Sequence, residues 1–102
     1  MYLIATSVYP NDKSKEVVDL YLKAMAKYPD NTALSTPIVP VGVHATLDGM
    51  QVINVYEVKK GKYEEAHALA RNRLAMLQTV PGFRWKIDNY LNLEEALKTI
   101  GL

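Results

Sequence analysis

Residues 41–58 read VGVHATLDGMQVINVYEV. Two runs of β-formers flank Asp48-Gly49. Asp-Gly between such runs is a strong hairpin signal, because a type I′ turn needs positive φ at both central residues. The stretch is expected to fold as a β-hairpin with Asp48 and Gly49 as its loop. Residue 47 then opposes 50, 44 opposes 53 and 43 opposes 54. Directly opposed residues share a face, so this register sorts the hairpin into two surfaces. One carries Val39, Val41, Val43, Ala45, Leu47, Met50, Val52, Asn54, Tyr56 and Val58, and is apolar or aromatic except at Asn54. It is expected to lie beneath helices. The other carries Pro40, Gly42, His44, Thr46, Gln51, Ile53, Val55 and Glu57, a mixed set that suits neither a dry core nor an ordinary wetted surface.

Outward from the hairpin, periodicity supplies the remaining elements. Tyr2 to Tyr9 reads as a first strand, closed by Pro10-Asn11-Asp12. Val17, Val18, Tyr21, Leu22, Met25 and Tyr28 then follow helical spacing. Asn11, Asp12 or Ser14 is placed to cap this helix, and Pro29 ends it. Residues 30–37 are turn-rich and read as a loop. Beyond Lys59–Lys62, a second helix runs from Tyr63 to about Thr79, with Tyr63, Ala66, Ala70, Leu74 and Leu77 on one stripe. Pro81-Gly82 stops it. Phe83 to Tyr90 reads as a fourth strand, with Phe83, Trp85 and Ile87 on one side and Arg84, Lys86, Asp88 and Tyr90 on the other. Asn92 and Glu95 form a capping-box pair for a short last helix that ends near Gly101. The order β-α-β-β-α-β plus a C-terminal helix predicts a ferredoxin-like α+β domain over residues 1–102 with a four-stranded antiparallel sheet.

Composition narrows the possible chemistries. The chain has 102 residues, enough for one domain, and no cysteine, which excludes disulfides, thiol catalysis and thiolate metal sites. Its formal net charge is +1, with cations and acids interleaved, so no nucleic-acid partner is expected. No stretch approaches the roughly 20 apolar residues that span a bilayer, and the first residues lack a basic leader. A cytoplasmic protein without membrane contact is the expectation. A P-loop, a dinucleotide fingerprint, a nucleophile elbow and a zinc motif are all absent, so no cofactor is expected.

Two helices cover one face of such a sheet, and a half-apolar second face is rarely left bare. Two sheets packed face to face across a two-fold axis would cover both, which predicts a homodimer through the sheet face. The element order, the length and the closing PGFRWKIDNYLNLEEALKTIGL resemble the dimeric α+β barrel superfamily. That group contains cofactor-independent monooxygenases, haem-degrading enzymes, muconolactone isomerases and members without an assigned activity. The resemblance covers nearly the whole chain and implies the dimeric barrel. Its monooxygenases use pocket asparagine, tryptophan and histidine. Asn54 and Trp85 fall on the helix side here, opposite His44, so that activity is not carried across.

The candidate site residues follow from the mixed face. His44 is a candidate general base or ligand contact. In the expected register it opposes Ile53, about 13 Å along the strand from Glu57, so these two do not form a dyad. Thr46 and Gln51 stand nearer. Tyr9, His44, Thr46, Gln51, Glu57, Arg84 and Tyr90 form the expected ligand-binding set, with Arg84 a candidate contact for an anionic group. Glu64 and His67 have ExxH spacing but no companions on other helices, so no metal site is assigned. Three readings stay open. The first is a homodimer binding a small, partly apolar ligand between sheet faces; the second is a cofactor-independent monooxygenase or isomerase with His44 as base. The third is an interaction module with a filled interface.

Overall fold

The computed structural model describes residues 1–102. Strand β1 (Tyr2–Tyr9) leads through a single 3₁₀ turn (Asn11–Lys13) into α1 (Ser14–Lys27). Then come β2 (Ser35–Thr46), β3 (Gly49–Val58), α2 (Tyr63–Leu77), β4 (Arg84–Tyr90) and α3 (Leu93–Thr99). The four strands form one sheet of order β2-β3-β1-β4 with antiparallel neighbours throughout. This is the ferredoxin-like arrangement that the element order implies. No helix is long and apolar enough to cross a membrane.

The core lies on one side of the sheet. Leu3, Ala5, Ser7 and Tyr9 alternate inward from β1, each at most 5% exposed. One hydrophobic cluster joins Ala5 and Tyr9 to Val17 of α1, to Leu74 and Leu77 of α2, and to Val80 and Phe83. A second joins Leu3 to Leu34, Val58 and Ala66. Helix α2 packs on β1, β4 and α1, while neither helix forms a comparable seam with β2. The helical layer is therefore centred on β1 and β4, and the β2 side of the sheet is thinly roofed.

Several local expectations are corrected. No side chain caps α1; the 3₁₀ turn leads directly into it, and the Ser14 hydroxyl donates to the Asn11 carbonyl at 3.0 Å. Strand β2 starts at Ser35, so residues 35–37 are strand and not loop. At α3 the expected capping box forms: the Glu95 N–H donates to Asn92 Oδ1 at 2.8 Å and the Asn92 N–H to Glu95 Oε1 at 3.0 Å.

The hairpin loop is displaced by one residue. Thr46 pairs with Gly49 and Ala45 with Met50, so Leu47-Asp48 forms the loop and Gly49 opens β3. No residue other than glycine has positive φ, so the expected type I′ turn is absent; within this turn only Gly49 has positive φ, at 129°. The Thr46 hydroxyl holds this geometry, donating to the Gly49 carbonyl at 2.7 Å and accepting from the Asp48 N–H at 3.1 Å. Gly49 also lies against β1, where an added Cβ would collide with the Tyr9 carbonyl oxygen. The slip preserves the faces near the turn, since Val43 still shares a side with Val52.

Further along, the pairing shifts between Pro37 and Val39 and again between Val39 and Gly42. Val39 now opposes Val55 and faces away from the helices, contrary to its expected placement. Pro37 and Pro40 lack a donor and are tolerated because β2 is an edge strand.

Gly49→Ala is expected to cost roughly 2–3 kcal/mol and to lower Tm by roughly 10–20 °C, because it combines a forbidden φ with a backbone collision. Gly61 also has positive φ, at 78°, but nothing stands within 4 Å of an added Cβ. Gly61→Ala should therefore cost only about 1 kcal/mol. Equal losses in thermal melts of the two variants would count against the close approach to Tyr9.

Candidate functional site

Register orders the uncovered sheet face into four rows. His44, Gln51, Val8 and Arg84 form the row nearest the hairpin turn. Gly42, Ile53, Thr6 and Lys86 follow, then Val39, Val55, Ile4 and Asp88. Thr36, Glu57, Tyr2 and Tyr90 end the face. Its centre is thus apolar, at Ile4, Val39, Ile53 and Val55, and polar rows close both ends. Lys86 and Asp88 pair on the outer edge at 3.0 Å, and this bond and charge hold the Lys86 ammonium above its ordinary range.

Six of the expected ligand-binding residues lie on this face, but they do not converge. Thr46, Gln51 and Arg84 line one open groove of about 410 Å³ together with Thr6, Val8 and Lys86. Thr46 has its hydroxyl committed to the turn. Exposed His44 stands beside Gln51 and takes part in none of the ion pairs. The row of Glu57 and Tyr90 lies six residues further on, about 20 Å away. Glu57 is thus further from His44 than the expected register implied.

Tyr9 lies on the other side of the sheet, where it lines a cavity beneath the helices. It points to the helix side, is 5% exposed and stacks on Phe83 with ring centroids 6.3 Å apart. Its position in β1 alternates with Val8 on the bare face, and contact with α1 and α2 decides the inward side. His67 lies on α2 beside Tyr63 and contacts Arg71 at 3.2 Å.

The more enclosed space lies on the helix side. Inward residues of β1 run large, small, small, large: Leu3, Ala5, Ser7, Tyr9. The small pair leaves room that neither helix fills. A cavity of about 120 Å³ sits over Ser7 and Val52, roofed by Val17 and Tyr21 of α1 and by Leu74 and Leu77 of α2. Its mouth opens between α1 and β2, where Val18, Val41 and Val43 are 51%, 44% and 56% exposed. A smaller space of about 40 Å³ lies beside it over Ala5, sharing Tyr21, Asn54, Leu74 and Leu77, and is also lined by Arg73. Ser7 and Asn54 are the polar residues of the larger cavity, which is otherwise lined by apolar and aromatic side chains. Asn54 donates its amide to the Pro40 carbonyl at 2.7 Å. Buried Ser7 lines the larger cavity, and its hydroxyl is not engaged by any side-chain hydrogen bond within the chain.

A polar cluster closes the far end. Arg73 of α2, 9% exposed, donates through Nε to the Tyr28 carbonyl at 2.7 Å and through Nη2 to Asp30 Oδ1 at 2.9 Å. Its Nη1 reaches the Tyr56 hydroxyl at 3.4 Å. One guanidinium thereby ties the end of α1 and the loop after it to α2 and β3. Burial, and then the Asp30 charge, push the Tyr56 phenol above its ordinary value of 10.0, although Arg73 pulls the other way. Burial, with Asp88, also raises Tyr63. Nothing local in the sequence marks this cluster, whose partners lie up to 45 residues apart.

No family model matches the chain, and neither does any curated protein. Among solved structures, a dimeric ferredoxin-like protein from an uncultured marine organism is similar at 11% identity and TM-score 0.44. That match covers 89% of this chain and 91% of the other. A formyltetrahydrofolate deformylase from Pseudomonas putida KT2440 is similar at 10% identity and TM-score 0.40, over 87% of this chain. The chain spans only 28% of that enzyme's length.

Arg73→Met should cost roughly 2–4 kcal/mol in urea unfolding, since it strips the Tyr28 carbonyl and Asp30 of their donor. Arg73→Lys should recover less than half of that, because an ammonium cannot reach three directions from one plane. The raised Tyr56 value means that the folded state holds the phenol proton more tightly than the unfolded chain. That contribution is complete below the ordinary value of 10.0 and is lost as pH climbs through the raised one. Stability of Tyr56→Phe should accordingly fall less steeply above pH about 10 than that of the parent, with Tyr63 supplying part of the remaining slope.

Proposed function

We propose that this protein is a homodimer that binds a compact, largely apolar small molecule in the cavity between its helical layer and its sheet. The observation that carries the reading is the pair Ala5 and Ser7 on the central strand. Where large side chains would close the core, these leave a cavity of about 120 Å³ with an apolar lining and few polar groups. Concave, mainly apolar spaces with a small number of convergent polar atoms are the usual form of a ligand site. The cavity's mouth is rimmed by exposed valines, which favours an apolar guest over water.

The dimer reading rests on the bare sheet face. Its apolar centre and polar ends are the layout of an interface, with a dry core and a wetted rim. A two-fold pairing would bring two such centres together and leave both helix-side cavities free. It would also enclose the groove beside Gln51 and Arg84, a second place where a ligand could lie, with His44 next to it. No carboxylate pairs with His44 within the protomer, so the enzymatic reading with this histidine as base depends on what a second subunit brings.

Light scattering at micromolar concentration should give twice the mass of the chain, and Val55→Glu should give a folded monomer. A monomeric parent under those conditions would sink the dimer. For the cavity, toluene titrated into the ¹⁵N-labelled protein should shift amides of Ser7, Val52 and Leu77. Ser7→Leu should abolish those shifts while keeping the fold, and shifts confined to Gln51 and Arg84 would move the site to the sheet face.

A further inference from the structure

The helix-side cavity carries information about the chemistry of its guest. Building on the cavity proposed above, we infer that its ligand is a neutral molecule bearing one hydroxyl donor, an alcohol or phenol about the size of a single six-membered ring. Three observations converge on this class.

Size comes first. The main cavity of about 120 Å³ and a neighbouring space of about 40 Å³ share four lining residues. A cavity of about 150 Å³ lined by apolar side chains takes a benzene-sized guest. A long acyl chain or a fused polycycle does not fit without moving a helix.

Hydrogen-bond polarity comes second. Asn54 has both donors and an acceptor to offer, but its amide nitrogen is committed to the Pro40 carbonyl at 2.7 Å. That bond uses one of the two amide hydrogens and fixes which way the amide points, leaving Oδ1 as an acceptor beside the second N–H. Ser7 adds a hydroxyl that donates or accepts, buried at 5% exposure and without a side-chain partner. The two sit on neighbouring strands of one face, since Ala5 opposes Asn54 and Ser7 opposes Val52. A guest hydroxyl fits this pair, donating to Asn54 and accepting from Ser7. A guest with acceptors only would leave Oδ1 without a donor.

Charge comes third. Arg73 lines the smaller space, but its guanidinium is already held by Asp30 at 2.9 Å and by the Tyr28 carbonyl at 2.7 Å. A carboxylate in the cavity would lose its water, meet the Asn54 oxygen and find no free positive charge. The site therefore selects against anions of the same shape.

The experiment titrates the 102-residue chain with phenol, toluene and benzoate, by calorimetry and by NMR. Phenol is expected to bind roughly five- to tenfold more tightly than toluene, the value of one net hydrogen bond in a buried site. Benzoate should bind at least tenfold more weakly than phenol. Ser7→Ala should narrow the gap between phenol and toluene, since the phenol hydroxyl keeps only Asn54 Oδ1 as a partner, while toluene affinity stays unchanged or rises. Toluene binding as tightly as phenol, with shifts at Ser7 and Val52, would overturn the hydroxyl-donor class and leave the cavity reading standing. Benzoate binding most tightly would do the same. Failure of all three probes to shift Ser7 or Val52 would overturn the cavity reading and this inference together.

Discussion

Strand β1 is the constraint on which the rest of the molecule depends. It is hydrogen-bonded on both sides, to β3 and to β4, so its alternation sets which side of the whole sheet faces inward. Leu3 and Tyr9 anchor two core clusters at its ends, and the small pair between them decides where the interior is not filled. Helix α2 follows β1 and β4, which leaves β2 under a thin roof. Each consequence is a matter of side-chain volume: close packing is the default for an interior, and two small residues on a central strand violate it locally unless a neighbour leans in. Here no neighbour does.

Much of the fold was legible because its signals are periodic and local. The helical stripes of α1 and α2, the Asn92–Glu95 box and the two-sided pattern of β4 all repeat in the structure. The hairpin shows why face assignment can survive a wrong turn. Sliding the loop by one residue shifts every pairing by two, an even step, so Val43 and Val52 stay together. Distances along the strand do not survive it, and Glu57 moved still further from His44. Val39 failed for a different reason. A bulge adds one residue to one strand, an odd step, and reverses everything beyond it until the next irregularity.

The site was less legible because its residues are joined by tertiary contact. Asp30 and Arg73 are 43 positions apart and Asn54 and Pro40 are 14 apart, with no shared motif. Tyr9 reads as an amphipathic strand residue in either direction, and only the helices above it decide. A small-residue pair such as Ala5 and Ser7 carries meaning only once the strand is known to be central, since on an edge it would face solvent. The sequence pointed to the mixed face because polarity is visible in one dimension. Enclosure is not.

The two faces of the sheet thereby differ in form. One is bare and apolar at its centre. The other is curved by two helices and holds a concave space with its own mouth between α1 and β2. Because successive residues of a strand alternate between these faces, neighbours such as Ser7 and Val8 meet different surroundings one peptide bond apart. Substitutions on the even-numbered residues of β1 therefore alter the bare face, and those on the odd-numbered ones packing and the cavity. Only a change in the strand's register would disturb both. That independence lets a single small sheet present a bare face on one side and the floor of a cavity on the other.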